Sequence, residues 1–209
     1  MQDYDRFLAD IPFPRQELDR LSKRAWILEY GKRHARVAEI GVFRGHFAEI
    51  ILAKLDPSVF YMVDTWTLEG EFFGYGVADE YANLGKLTTQ QAKDDARRRV
   101  NGFRRPDRSI ELLEMKGVDF FTMLSERGER LDVVYLDTTH EYADTLRELS
   151  AAADVLADDG VIIGDDWHTN PQSAHFGVLL AVNDFVRESA FDVISAGSGN
   201  QYCLRRRQS

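Results

Sequence analysis

The stretch Leu131-Asp132-Val133-Val134-Tyr135-Leu136-Asp137-Thr138-Thr139-His140 constrains the fold of this chain more than any other. It is a nearly continuous apolar run, bounded by charge, with β-branched and aromatic residues inside. A surface strand would alternate, whereas such a run fits a strand buried on both faces of a parallel sheet. Beyond it, Tyr142, Leu146, Leu149, Ala153 and Leu156 recur at three- and four-residue spacing, the pattern of a helix packed by one face. Asp137 and His140 are therefore predicted at the carboxyl edge of a central strand, where open α/β sheets bind ligands. Val161-Ile162-Ile163-Gly164 followed by Asp165-Asp166-Trp167-His168 repeats the construction. Two adjacent strands would then aim three carboxylates and two imidazoles at one crevice.

The 209 residues suffice for one well-buried domain and argue against two. A hydrophobic share of 44% beside 29% charged residues is ordinary for a globular enzyme. The net charge of −9 speaks against a nucleic-acid or anionic-membrane surface, since both need a basic footprint. Arg205-Arg206-Arg207 is short and terminal, and reads as a solvated tail. The single Cys203 excludes an intrachain disulfide and suits a reducing compartment. With no apolar leader and no run long enough to span a bilayer, a cytoplasmic protein is expected.

Residues 1–35 read as a helical lead-in, broken by Pro12 and Pro14, with Leu18, Leu21, Ala25 and Leu28 at helical spacing. A helix covering one sheet edge is the expectation. Arg36-Val37-Ala38-Glu39-Ile40 is a short strand, Gly41-Val42-Phe43-Arg44-Gly45 a turn, and residues 46–55 a helix. Together they form the first half of a nucleotide-binding βαβ unit. Glycine there keeps a Cβ from blocking a ligand's approach to the backbone. The G-x-G-x-x-G fingerprint is absent, because Phe43 stands where its second glycine would be, and Gly-x-x-x-Gly serves a tight structural turn equally well. Glu39 sharpens the signal, since a carboxylate at the end of a buried strand is costly unless it meets a cation or donors.

The next strand, Val59-Phe60-Tyr61-Met62-Val63, ends on Asp64. Its two oxygens can hold both ribose hydroxyls, or it can serve as a turn former. Residues 65–106 exceed a minimal crossover and carry Trp66, Phe72, Phe73, Tyr75 and Tyr81 among glycines. They read as a mobile cover over a pocket or as aromatics tucked into the core, with a crossover helix over 87–100. Ser109 to Met115 is the third strand, and Lys116-Gly117-Val118-Asp119 a wall for an adenine ring. After the Asn170-Pro171 turn, Phe176, Leu179, Val182 and Val186 mark another helix. Two short strands flanking Gly197-Ser198-Gly199-Asn200 close the chain as an antiparallel hairpin.

These motifs resemble class I S-adenosylmethionine-dependent methyltransferases, and within them the metal-dependent group that includes macrolide sugar O-methyltransferases. The resemblance runs from about Arg36 to Arg205. It is carried by Glu39-Ile40-Gly41-Val42-Phe43-Arg44-Gly45, Val63-Asp64, Tyr135 to His140, and Gly160-Val161-Ile162-Ile163-Gly164-Asp165-Asp166. The D-x-x-H and G-D-D combination is its most specific part. Phe43 departs from the wider class, and Asp158-Asp159-Gly160 stands in place of a proline-glycine turn.

The resemblance implies a single-domain Rossmann-like α/β fold, with a mostly parallel sheet, a reversed C-terminal hairpin strand and helices on both faces. It implies that Glu39, Gly41, Val42, Phe43, Gly45, Asp64, Thr65, Gly117, Val118 and Asp137 bind S-adenosylmethionine. Asp137, Asp165 and Asp166 would hold a divalent cation, and their hard oxygen donors suit Mg²⁺. The acceptor would be a hydroxyl on a small molecule such as a sugar, natural product or phenol, with neither nucleic acid nor membrane as partner. A homo-oligomer is compatible with this reading.

His140 matches the general base of that group, with His168 in reserve. A helix beginning near Thr139 would place His140 in its first turn, where the dipole and a nearby cation keep an imidazole neutral. Neighbouring strand residues point to opposite faces, so Asp165 and Asp166 share an ion only if the strand ends at Gly164. Otherwise one is a ligand and the other a cap. Two rival functions use the same residues: a metal-dependent hydrolase, which would not need Glu39, Gly41 and Asp64, and a cofactor-binding module without catalysis.

Overall fold

In a computed structural model of the protein, residues 23–67 and 88–208 are described. Residues 1–22 of the lead-in and residues 68–87 of the long insertion, with Phe72, Phe73, Tyr75 and Tyr81, lie outside the described residues. Among those described, seven strands form one sheet. They are β1 (Arg36–Ile40), β2 (Val59–Asp64), β3 (Ser109–Glu114), β4 (Leu131–Leu136), β5 (Leu156–Gly164), β6 (Phe191–Ala196) and β7 (Tyr202–Arg206). Their order is β3-β2-β1-β4-β5-β7-β6, with β1 to β5 parallel and β7 antiparallel to both its neighbours. The chain reverses its direction of travel across the sheet between β1 and β4, so the crevice at their carboxyl ends is the expected ligand position.

The apolar runs are explained by burial on both faces. On one face Val37, Phe60, Val133, Tyr135 and Ile163 pack under α1 (His46–Leu55), α2 (Thr89–Asn101) and the short 3₁₀ helix Ala25–Tyr30. On the other, Ala38, Tyr61, Val134, Leu136 and Ile162 pack under α3 (Gly117–Glu126), α4 (Tyr142–Val155) and α5 (Phe176–Glu188). Alternate residues of each strand thus feed opposite cores, as the period of two demands. Among the described residues no helix is long and apolar enough to cross a membrane.

Three local expectations are corrected. The end of the lead-in is a 3₁₀ turn, with Ile27 and Leu28 buried in the core under α1. β5 starts at Leu156, directly after α4, and pairs with Leu131. The register then slips, so that Val161 meets Val133, and Asp158-Asp159-Gly160 belongs to that irregularity instead of a separate turn. α2 begins at Thr89, two residues later than expected. Thr88 caps it, accepting from the Gln91 amide while the Gln91 side chain accepts from the Thr88 amide.

Candidate active site

The glycine turn after β1 is held by its own chain. A Cβ on Gly41 (φ +88°) would lie 1.7 Å from the Asp137 carbonyl oxygen, and one on Gly45 (φ +74°) 2.9 Å from Ala96 Cα. Both glycines are therefore required by the approach of β4 and α2, before any ligand is considered. Phe43 takes φ 51°, a left-handed conformation that glycine adopts more readily. It is held there by Asp64, whose Oδ2 accepts from the Phe43 amide at 2.7 Å while Oδ1 accepts from the Trp66 amide at 2.7 Å. Trp66 is buried and donates its indole N–H to the Phe43 carbonyl, so this aromatic of the insertion does tuck into the core. Asp64 is thus a loop organiser as the structure stands. Burial raises its carboxyl, and the amides of Phe43, Trp66 and Val42 work against that rise.

Val42 is buried in this turn. Thr65 is half-buried, its hydroxyl accepting from Thr67. Gly117 opens α3, packed so closely on Ile40 and Glu148 that a Cβ would meet Ile40 at 2.6 Å, and Val118 beside it is half-buried. The expected wall is therefore a helix start next to the end of β1. Glu39, 2% exposed, keeps Oε2 without a hydrogen-bond partner among the described residues. Its burial, with Asp137 and Asp64 nearby, pushes its carboxyl well above the ordinary range. An orphaned buried acceptor of this kind fits a cationic donor.

Asp137, Asp165 and Asp166 come together at the ends of β4 and β5, each offering an oxygen within 4.8 Å of the others. Asp166 takes φ 61°, which lets two consecutive residues beyond Gly164 face one point. His140 Nε2 lies 2.7 Å from Asp166 Oδ2 and 3.2 Å from Asp137 Oδ1. His168 Nε2 lies 3.4 Å from Asp166 Oδ1 and 3.2 Å from the Asn200 amide.

The helix after β4 begins at Tyr142, so His140 (φ 64°) precedes it and is not in its first turn. Its neutrality was expected beside a bound cation, and without one the balance of charges differs. Burial alone would lower the imidazolium, but hydrogen bonds to Asp137 and Asp166 outweigh burial and push it up to about 10. The same pairing holds Asp166 below the ordinary carboxylate range against its own burial. Asp165, buried beside Asp137, is pushed up to about 9 despite Arg24.

Four participants escaped the sequence reading. Arg24, 2% exposed, ion-pairs with Asp165 and lies 3.3 Å from Asp137. His175 Nδ1 lies 3.7 Å from Asp166 Oδ2. Glu148, pushed up to about 7 by burial, accepts from Thr138 at 2.6 Å. Arg44 is fully buried on Asp95 of α2 at 2.8 Å, anchoring the glycine turn. Only His175 left a usable trace, standing a short loop beyond His168.

The family model described as "Methyltransferase domain" matches residues 38–167, more than half of the chain. The chain belongs to the methyltransferase domain family. It is an S-adenosylmethionine-dependent methyltransferase of class I architecture, and the matched span runs from the glycine turn through all three acids. No curated protein matches the sequence. Among solved structures, the methyltransferase is similar to the O-methyltransferase of tomaymycin synthesis from Streptomyces achromogenes, solved with S-adenosylmethionine. The TM-score is 0.60 at 14% identity, covering 94% of this chain and 82% of that one. The TDP-rhamnose 3′-O-methyltransferase of calicheamicin biosynthesis gives 0.58 at 18%, covering 98% and 92%. An rRNA methylase from Streptococcus thermophilus gives 0.53 at 12%, covering 92% and 95%. At these identities the likeness is one of fold.

Proposed function

We propose that this methyltransferase acts on a hydroxyl group of a small molecule, with S-adenosylmethionine as donor and a divalent cation of the Mg²⁺ class at its acidic centre. The observation that carries the reading is the meeting of Asp137, Asp165 and Asp166 within 4.8 Å beside His140. Hard, oxygen-only donors suit Mg²⁺ over Zn²⁺. When bound, the cation would acidify and orient the acceptor hydroxyl, and S-adenosylmethionine would supply the methyl group.

The remaining work falls to the chain. Glu39 Oε2 offers the orphaned acceptor for the methionine ammonium. Asp64 has given one lone pair per oxygen to backbone amides, and its remaining capacity serves the ribose diol. Asp137, Asp165 and Asp166 hold the cation, with Arg24 as a resident counter-charge. With a dication counted in, three carboxylates and one guanidinium balance without the His140 proton. His140 is then the neutral imidazole a general base requires, with His168 on the other oxygen of Asp166 as the alternative.

The O-methyltransferase names of two fold relatives support a sugar or natural-product hydroxyl as acceptor. The net charge of −9 weighs against RNA. The test is to offer methyl-labelled S-adenosylmethionine with a panel of sugar nucleotides, phenols and small alcohols. Label recovered as an O-methyl ether supports the reading. Label found on nitrogen or carbon, or bound cofactor with no transfer to any hydroxyl, contradicts it.

A further inference from the structure

Asp166 carries more nitrogen around it than an oxygen-only cation site uses. Its Oδ2 faces His140 Nε2 at 2.7 Å and His175 Nδ1 at 3.7 Å, while its Oδ1 faces His168 Nε2 at 3.4 Å. The His140 and His175 rings meet edge to face at 4.6 Å, and those of His168 and His175 stack at 5.1 Å. The three imidazoles come from separate places: the loop after β4, the loop after β5, and the residue that precedes α5. Three half-buried imidazoles converging on one carboxylate bring nitrogen donors to a single point, which an oxygen-only cation site leaves unused.

We propose that His140, Asp166 and His175 form a second cation site, selective for a first-row transition-metal dication over Mg²⁺. One atom from each residue lies within 4.8 Å of the other two, which lets a single ion draw all three in. Two imidazoles and one carboxylate leave open positions and match borderline ions such as Co²⁺, Fe²⁺ or Zn²⁺, whereas Mg²⁺ keeps to oxygen. His168, on the other oxygen of Asp166, orients that carboxylate from behind. The oxygen-only triad shares Asp166 alone with this site, so the two can be separated by mutation. The site goes beyond the proposed methyl transfer and stands whether or not His140 serves as its base.

The experiment titrates chelator-stripped, full-length protein with Co²⁺ in excess Mg²⁺, following the visible d–d bands. One equivalent of Co²⁺ is expected to bind with bands typical of mixed nitrogen and oxygen coordination. His175→Ala and His175→Gln are each expected to weaken Co²⁺ at least about 10-fold. Asp165→Asn, which alters only the oxygen triad, is expected to keep the bands. No Co²⁺ bound in excess Mg²⁺, wild-type affinity in either folded His175 variant, or bands lost in Asp165→Asn would each overturn the proposal.

Discussion

His140 Nε2 lies 2.7 Å from Asp166 Oδ2, a pair that ties the loop after β4 to the turn after β5. Against burial, hydrogen bonds to Asp137 and, through this contact, to Asp166 raise the imidazolium from 6.5 to about 10 in the cation-free protein. A base whose folded pKa is raised contributes stability in full below the unfolded value, and loses it as pH climbs to the folded one. The melting temperature in chelator should therefore fall between about pH 6.5 and 10. The fall should be shallower in His140→Gln and in wild type saturated with Mg²⁺. A flat or rising profile in chelator would count against the protonated pair.

Arg24 brings a second cation to the same acids from the start of the chain's described part. Its side chain and that of Asp165 are 3% and 0% exposed, so removing one strands the other. Breaking a buried pair from one side costs about 3–5 kcal/mol. Urea unfolding of Arg24→Met should show a loss of that order in chelator and a smaller one with Mg²⁺, which supplies replacement charge. An equal loss under both conditions would mean that Arg24 and the cation do not share these carboxylates.

Glu39 is a liability to the empty fold and an asset to the loaded one. Glu39→Gln removes a buried acid that lacks a partner on Oε2, so the cofactor-free variant should melt higher than wild type. Calorimetry should find its affinity for S-adenosylmethionine reduced about ten- to a hundredfold, the scale of hydrogen bonds to charged groups. A variant that melts higher and binds as wild type would move Glu39 out of the cofactor site.

The parts legible in the sequence are those set by local pattern. β1, β2 and β4 announce themselves because alternate residues feed two cores, which leaves unbroken apolar runs. Asp137, Asp165 and Asp166 were found because each ends such a run. Arg24 left no local trace, since its role exists only once the 3₁₀ turn packs beneath α1 and reaches across the sheet to two strand ends. The contact of His140 with Asp166 was hidden for the same reason, since the two are 26 positions apart in the chain and 2.7 Å apart in space. Two causes were open for the glycines, a ligand's approach and a tight structural turn. The Asp137 carbonyl alone already demands Gly41, so the structural cause suffices to explain it.

Turnover of an O-methyl acceptor, with and without chelator, tests the joint use of S-adenosylmethionine and a divalent cation most directly. Adenosylhomocysteine formation should stop in excess chelator and return on adding Mg²⁺, while cofactor binding measured alongside persists throughout. His140→Ala should lower the rate about 10²–10⁴-fold with both ligands still bound, the usual loss for a general base. Full turnover in excess chelator would contradict the cation's part in the reaction and leave the three carboxylates to Arg24 and His140 alone.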